Sequence, residues 1–95
     1  MKTVKQLYER LTALPAPVLG RSIDDFALYE ALLAGCAHRV ANGQLLDLST
    51  VPLPDEGTLL AVAELRAKAT PSPDERAFLE YFNLLEEIRA ALGRA

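Results

Sequence analysis

Residues 72–93 constrain the fold more than any other part of this sequence. Ser72-Pro73-Asp74-Glu75 supplies a hydroxyl able to cap a helix, a proline suited to the first helical position and a glutamate able to close a capping box. Behind it Phe78, Tyr81, Phe82, Leu85, Ile88 and Leu92 recur every three or four residues. Leu84 and Ala91 widen that arc to about half of the helix circumference at ~100° per residue. A helix this apolar must lie against several neighbours. Gly93 is predicted to end it.

A second helix is predicted from Ser22 to Asn42-Gly43. The Ser22 hydroxyl is suited to capping, Asp24 and Asp25 fall in the first turn where the helix dipole favours negative charge, and Asn-Gly suits a left-handed C-terminal cap. Phe26, Tyr29, Leu33, Cys36, Ala37 and Val40 form one apolar face. Leu28 and Leu32 form a second, with Ala27, Ala31, Ala34 and Gly35 between them. Only Glu30 is charged from residue 26 to residue 37, so this helix is predicted to be central and buried on several sides.

Two further helices complete the pattern. Thr3 and Gln6 form a capping box for a helix over residues 4–14, where Val4, Leu7, Tyr8, Leu11 and Leu14 make a narrow stripe that Pro15 and Pro17 terminate. A helix over residues 55–69 is expected to turn Leu59, Val62, Ala63 and Leu65 inward and to pair Glu64 with Lys68, with Gly57 weakening its first turn. Between helices, Leu45, Leu46, Leu48, Val51 and Leu53 are expected to fold over the bundle end. The expected fold is therefore all-α: one domain over residues 1–95, an antiparallel bundle of about four helices in two hairpins, with the second and fourth at the centre. Identities at an offset of fifty, from Ser22/Ser72 through Arg39/Arg89 to Gly43/Gly93, raise duplication of a helical hairpin, although capping chemistry alone accounts for the ends.

Composition narrows function by exclusion. The chain has 95 residues, 51% of them hydrophobic and 24% charged, which suits a folded domain rather than a disordered one. Its net charge is −3, and basic residues gather near the start, where Lys2, Lys5, Arg10 and Arg21 oppose Glu9 alone. An acidic balance without a basic stripe argues against nucleic acid as a partner. The longest nearly uncharged run is too short for the roughly 20 residues a membrane-spanning helix needs, so no membrane partner is expected. With a lone Cys36 and no export pattern, the expected location is the cytoplasm.

No catalytic motif stands out. Cys36 and His38, the only thiol and imidazole, point about 200° apart on a helix and cannot share a metal; a zinc site needs three or four ligands. Cys36 is read as a core residue and His38 as a surface one. No Glu-x-x-His pair, glycine-rich phosphate loop or serine nucleophile is present, so neither metal nor cofactor is expected. Asp47-Leu48-Ser49 resembles the phosphopantetheine site of acyl carrier proteins in composition but not in order, and Pro52 and Pro54 follow where a long helix would begin; the carrier reading is set aside. Glu30, interrupting the apolar run, is expected to sit at a helix edge or pair with an arginine. Arg66 and Arg89 are expected to snorkel over the core edge.

Two helices with broad apolar faces offer more surface than a short chain covers easily. The leading expectation is a non-enzymatic protein-interaction module: a dimeric adaptor, a regulator, or an immunity- or antitoxin-like neutraliser of a basic partner. Its expected contact residues, with a second copy or another protein, are Phe26, Tyr29, Leu33, Tyr81, Phe82 and Arg89. The alternative is a small enzyme or ligand-binding bundle that gathers Glu30, Arg66 or Arg89 in a pocket.

Overall fold

The computed structural model describes residues 2–15, 17 and 26–94. Among these the chain is all-α: α1 (Val4–Ala13), α2 (Phe26–Ala41), a 3₁₀ turn (Leu48–Thr50), α3 (Glu56–Ala67) and α4 (Pro73–Arg94). The caps expected for α1 and α4 form. Thr3 Oγ1 accepts from the Gln6 amide at 3.2 Å while the Gln6 side chain accepts from the Thr3 amide at 2.9 Å. Ser72 and Glu75 repeat the arrangement, at 3.2 and 2.8 Å, at the start of α4. Gly43 ends α2 at φ 81°, the left-handed conformation that glycine adopts without steric cost. The expected capping of α2 by Ser22 and its acidic first turn lie outside the described residues.

Consecutive helices run antiparallel. Tyr8 meets His38, with ring centres 5.6 Å apart, and Val4 shares a cleft with Val40, so α1 descends as α2 ascends. Arg10 reaches Glu87 at 4.0 Å while Leu7 and Ala90 line one hollow, which sets α1 antiparallel to α4 as well. Phe26 packs on Phe78 at 5.0 Å and Tyr29 on Phe82 at 6.4 Å, so α2 and α4 run in the same direction. On the other side of α4, Arg66 bonds Asn83 at 2.7 Å and Lys68 bonds Glu75 at 2.5 Å, fixing α3 antiparallel to it.

The centre is α4 alone. It contacts α1, α2 and α3, and buries all eight apolar residues read from its stripe and its widening positions. The reading of α2 as a second centre fails. That helix buries Tyr29, Leu33, Cys36 and Ala37, but Leu28 is 60% exposed and Leu32 50%. Once α1 and α4 cover one side of α2, no described element packs over the other. The scarcity of charge on α2 therefore does not mark burial all round.

Helix α3 is rotated from the expected position. Its buried face is Thr58, Ala61, Val62 and Leu65; Leu59 and Ala63, expected inside, are exposed, as is Leu60. The cause is local. Asp55 caps α3 by accepting from the Thr58 amide at 3.3 Å and from the Thr58 hydroxyl. With its hydroxyl satisfied, Thr58 is buried at little cost and leads the inward stripe. Hydrogen bonding from Thr58 also holds the Asp55 carboxyl below the usual carboxylate range. Lys68, expected to pair with Glu64, turns instead to Glu75 at 2.5 Å.

Two other expectations need correction. Of the loop leucines and valine, only Leu46 and Val51 pack against the core, whereas Leu45, Leu48 and Leu53 are exposed. Residues 44–55 lead from the end of α2 back to the level of Cys36, where the Cys36 thiol lies 3.9 Å from the Thr50 carbonyl, and so reach the start of α3 without covering the bundle end. Gly93 does not end α4, which runs on to Arg94. Gly43 and Gly93 therefore occupy different conformations, and the offset identities do not correspond to equivalent helix ends.

Candidate functional site

The sequence-derived contact residues sit mostly inside the molecule. Leu33, Phe82, Tyr29 and Tyr81 are buried within the chain's own core, while Phe26 and Arg89 are half-buried at its edge. A set read from apolar stripes selected the intramolecular seam between α2 and α4. It does not form an outer surface of the folded chain.

The polar candidates are engaged separately. Glu30 lies beside the Tyr81 hydroxyl; burial, reinforced by that carboxylate, pushes Tyr81 up to about 12. Tyr29 donates to Glu86 at 3.3 Å, and Glu86 accepts from Arg89 at 2.5 Å through its other oxygen. Burial first and the Glu86 charge second push the Tyr29 hydroxyl up to about 12. Arg66 spreads over the Phe82 ring, 5.8 Å from its centre, and donates to Asn83. This is the edge-of-core placement expected of a snorkelling arginine. Glu30, Arg66 and Arg89 thus have three different sets of partners and build no common pocket. Arg89 Nε is buried with no hydrogen-bond partner among the described residues, a consequence of the guanidinium being drawn by its terminal nitrogen to Glu86.

Cys36 is a free, buried thiol and His38 an exposed imidazole beside Asn42, as their positions on the wheel predict. Among the described residues no group of three or more His, Cys, Asp or Glu side chains is placed to hold a metal, and no helix is long and apolar enough to cross a membrane.

Two surfaces remain. One is the outer face of α2, where Leu28 and Leu32 stand one turn apart beside Ala31 and Gly35; a Cβ at Gly35 would meet nothing within 4 Å. The sequence pattern marks these residues as a second apolar face, and in the folded chain that face is exposed and not interior. The other is a cleft of about 550 Å³ at the end of the bundle where α1 begins and α2 and α4 finish. It is floored by Val4, Val40, Ala41 and Ala91 and edged by Lys2, Lys5 and Arg94. The basic bias of the N-terminal segment was its only sequence signal, because Arg94 joins it solely through the antiparallel packing of α1 on α4. Comparison with protein-family models, curated proteins and solved structures finds no match.

Proposed function

We propose that this chain is a non-enzymatic protein-interaction module that works as a homodimer, two copies docking through the outer face of α2. The observation that carries the reading is the exposure of Leu28 and Leu32 on a helix whose outer side bears no carboxylate, its single acid, Glu30, being turned to Tyr81. Contiguous apolar surface of this kind marks contact sites on folded proteins.

The spacing of large and small residues favours a second copy as the occupant. With two α2 helices antiparallel and a twofold axis between Ala31 and Leu32, Leu28 of one copy faces Gly35 of the other, and Ala31 faces Leu32. Each leucine then meets a small residue, and the helices approach closely. A module of this type serves as an adaptor, a regulator or, given a net charge of −3, a neutraliser of a basic partner. The free Cys36 thiol supports a reducing, cytoplasmic setting.

Light scattering across a concentration series tests the proposal. The wild type is expected to approach twice 10.4 kDa, and Leu28→Glu/Leu32→Glu to stay at 10.4 kDa with unchanged helical content. A wild-type mass of 10.4 kDa throughout would remove self-association and leave a different protein as the occupant.

A further inference from the structure

We propose that the cleft at the basic end of the bundle binds a small amphiphilic anion, a carboxylate or phosphate carried on a hydrocarbon chain. The site lies away from the outer leucines of α2 and stands independently of the dimer. Three observations converge on it. Its volume, about 550 Å³, falls within the roughly 300–1,000 Å³ typical of ligand sites, and its floor of Val4, Val40 and Ala91 is apolar. Its rim carries Lys2, Lys5 and Arg94, and among the described residues no acidic side chain lines it. Among the described residues none of those three cations has an ion pair or a side-chain hydrogen bond, a state shared by Arg39 and Arg76, so all three rim cations are available to a ligand.

The gathering of three cations around one hollow is the most telling point, because acids outnumber bases in the sequence, thirteen to ten. Three cations left unneutralised around one hollow create a local positive field in an otherwise acidic protein. A purely apolar ligand would leave that field unanswered, and a bare inorganic anion would leave the floor open to water. An amphiphile answers both. A second hollow of about 250 Å³, lined by Leu7, Ala90 and the carboxylate of Glu87, shares Lys2 and Arg94 with the first, and Glu87 reaches Arg10 at 4.0 Å. Lys2 and Arg94 border both hollows, and the anionic head sits on the side of the larger one, which Glu87 does not line, with the tail along its floor.

The test is a titration of isotope-labelled full chain, followed by heteronuclear NMR, with decanoate and with decyl phosphate below their micelle-forming concentrations. Decanol and inorganic phosphate serve as the apolar-only and charge-only controls. The expected result is saturable binding of both amphiphiles, with shifts confined to the first turn of α1 and the last turns of α2 and α4. Each control is expected to bind at least about tenfold more weakly, a loss of ~1.4 kcal/mol. Lys2→Gln/Arg94→Gln should weaken the amphiphiles by about tenfold as well, and added salt should weaken them further. Arg76→Gln, which removes a cation from the first turn of α4, should change nothing. Four outcomes would each overturn the proposal: no saturable binding, decanol matching decanoate, phosphate alone matching decyl phosphate, or association only with phosphatidylglycerol vesicles, which would make the basic end a membrane-surface contact.

Discussion

Leu32 and Leu33 are neighbours on α2 with opposite fates, and truncating each in turn measures how the helix is oriented. Leu33 is 0% exposed and packed within the core cluster, so Leu33→Ala removes buried hydrocarbon and leaves a cavity that surrounding side chains fill only partly. The expected loss is about 3–5 kcal/mol, a large share of the ~5–15 kcal/mol that stabilises a small domain. Leu32 is 50% exposed in the single chain. Fully burying a leucine contributes ~1.5–3 kcal/mol, so half of that, with no cavity left behind and a slight gain in helix propensity, puts Leu32→Ala near 1 kcal/mol or less. Urea unfolding followed by far-ultraviolet circular dichroism at low protein concentration reads both. If the two variants lost the same stability, the orientation of α2 and the seam it forms with α4 would be refuted. Repeating the series at high concentration adds a second reading, because a residue in a dimer contact costs more where the dimer is populated.

Four further outcomes follow from named features. Gly35→Ala should stabilise the monomer by about 0.5–1 kcal/mol, since the added Cβ meets open space in a helix interior, whereas Gly35→Leu should lower the dimer mass without unfolding the chain. Ser72→Ala, breaking the capping box of the central helix, should cost about 0.5–2 kcal/mol by thermal or urea unfolding. Gly43→Ala should cost about 1 kcal/mol or more because a β-carbon is disfavoured at φ 81°. Tyr29 and Tyr81 both have hydroxyls pushed from 10.0 up to about 12, so the folded state holds those protons more tightly than the unfolded chain does. The resulting stability is intact below pH 10.0 and is lost as pH rises through about 12; ultraviolet titration with parallel unfolding curves checks it, and unfolding that does not respond to pH in that window would contradict it.

What the sequence made legible depended on how local the determining physics is. Helix α4 was readable almost residue by residue because its cap is set by four adjacent residues and its stripe by one helical period. The Thr3–Gln6 box and the Asn42-Gly43 stop were readable for the same reason. Helix α3 was not, because its inward stripe begins with a threonine. A hydrophobic count passes over Thr58, and only the Asp55 cap explains why a hydroxyl can lead a buried face. The outer leucines of α2 failed for a different reason: local pattern records how apolar a helix is and leaves open how many neighbours it has. The basic cleft was least legible of all, since Lys2 and Arg94 lie at opposite ends of the sequence and meet only through tertiary packing. Glu30, Arg66 and Arg89 could be singled out as polar groups near apolar arcs, but their separate partners became visible only in three dimensions.

The meeting of two α2 helices is tested most directly by a distance between copies. Arg39 is exposed near the end of α2, and a spin label at Arg39→Cys reports on its counterpart in the second copy, with the native Cys36 shielded by burial. With the axis between Ala31 and Leu32, a rise of ~1.5 Å per residue and helix axes ~9 Å apart place the two labelled positions about 24 Å from each other. A dipolar distance centred there is the expected result. Absence of any dipolar coupling at concentrations where light scattering reports a dimer, or a separation near 9 Å as parallel helices would give, would contradict it.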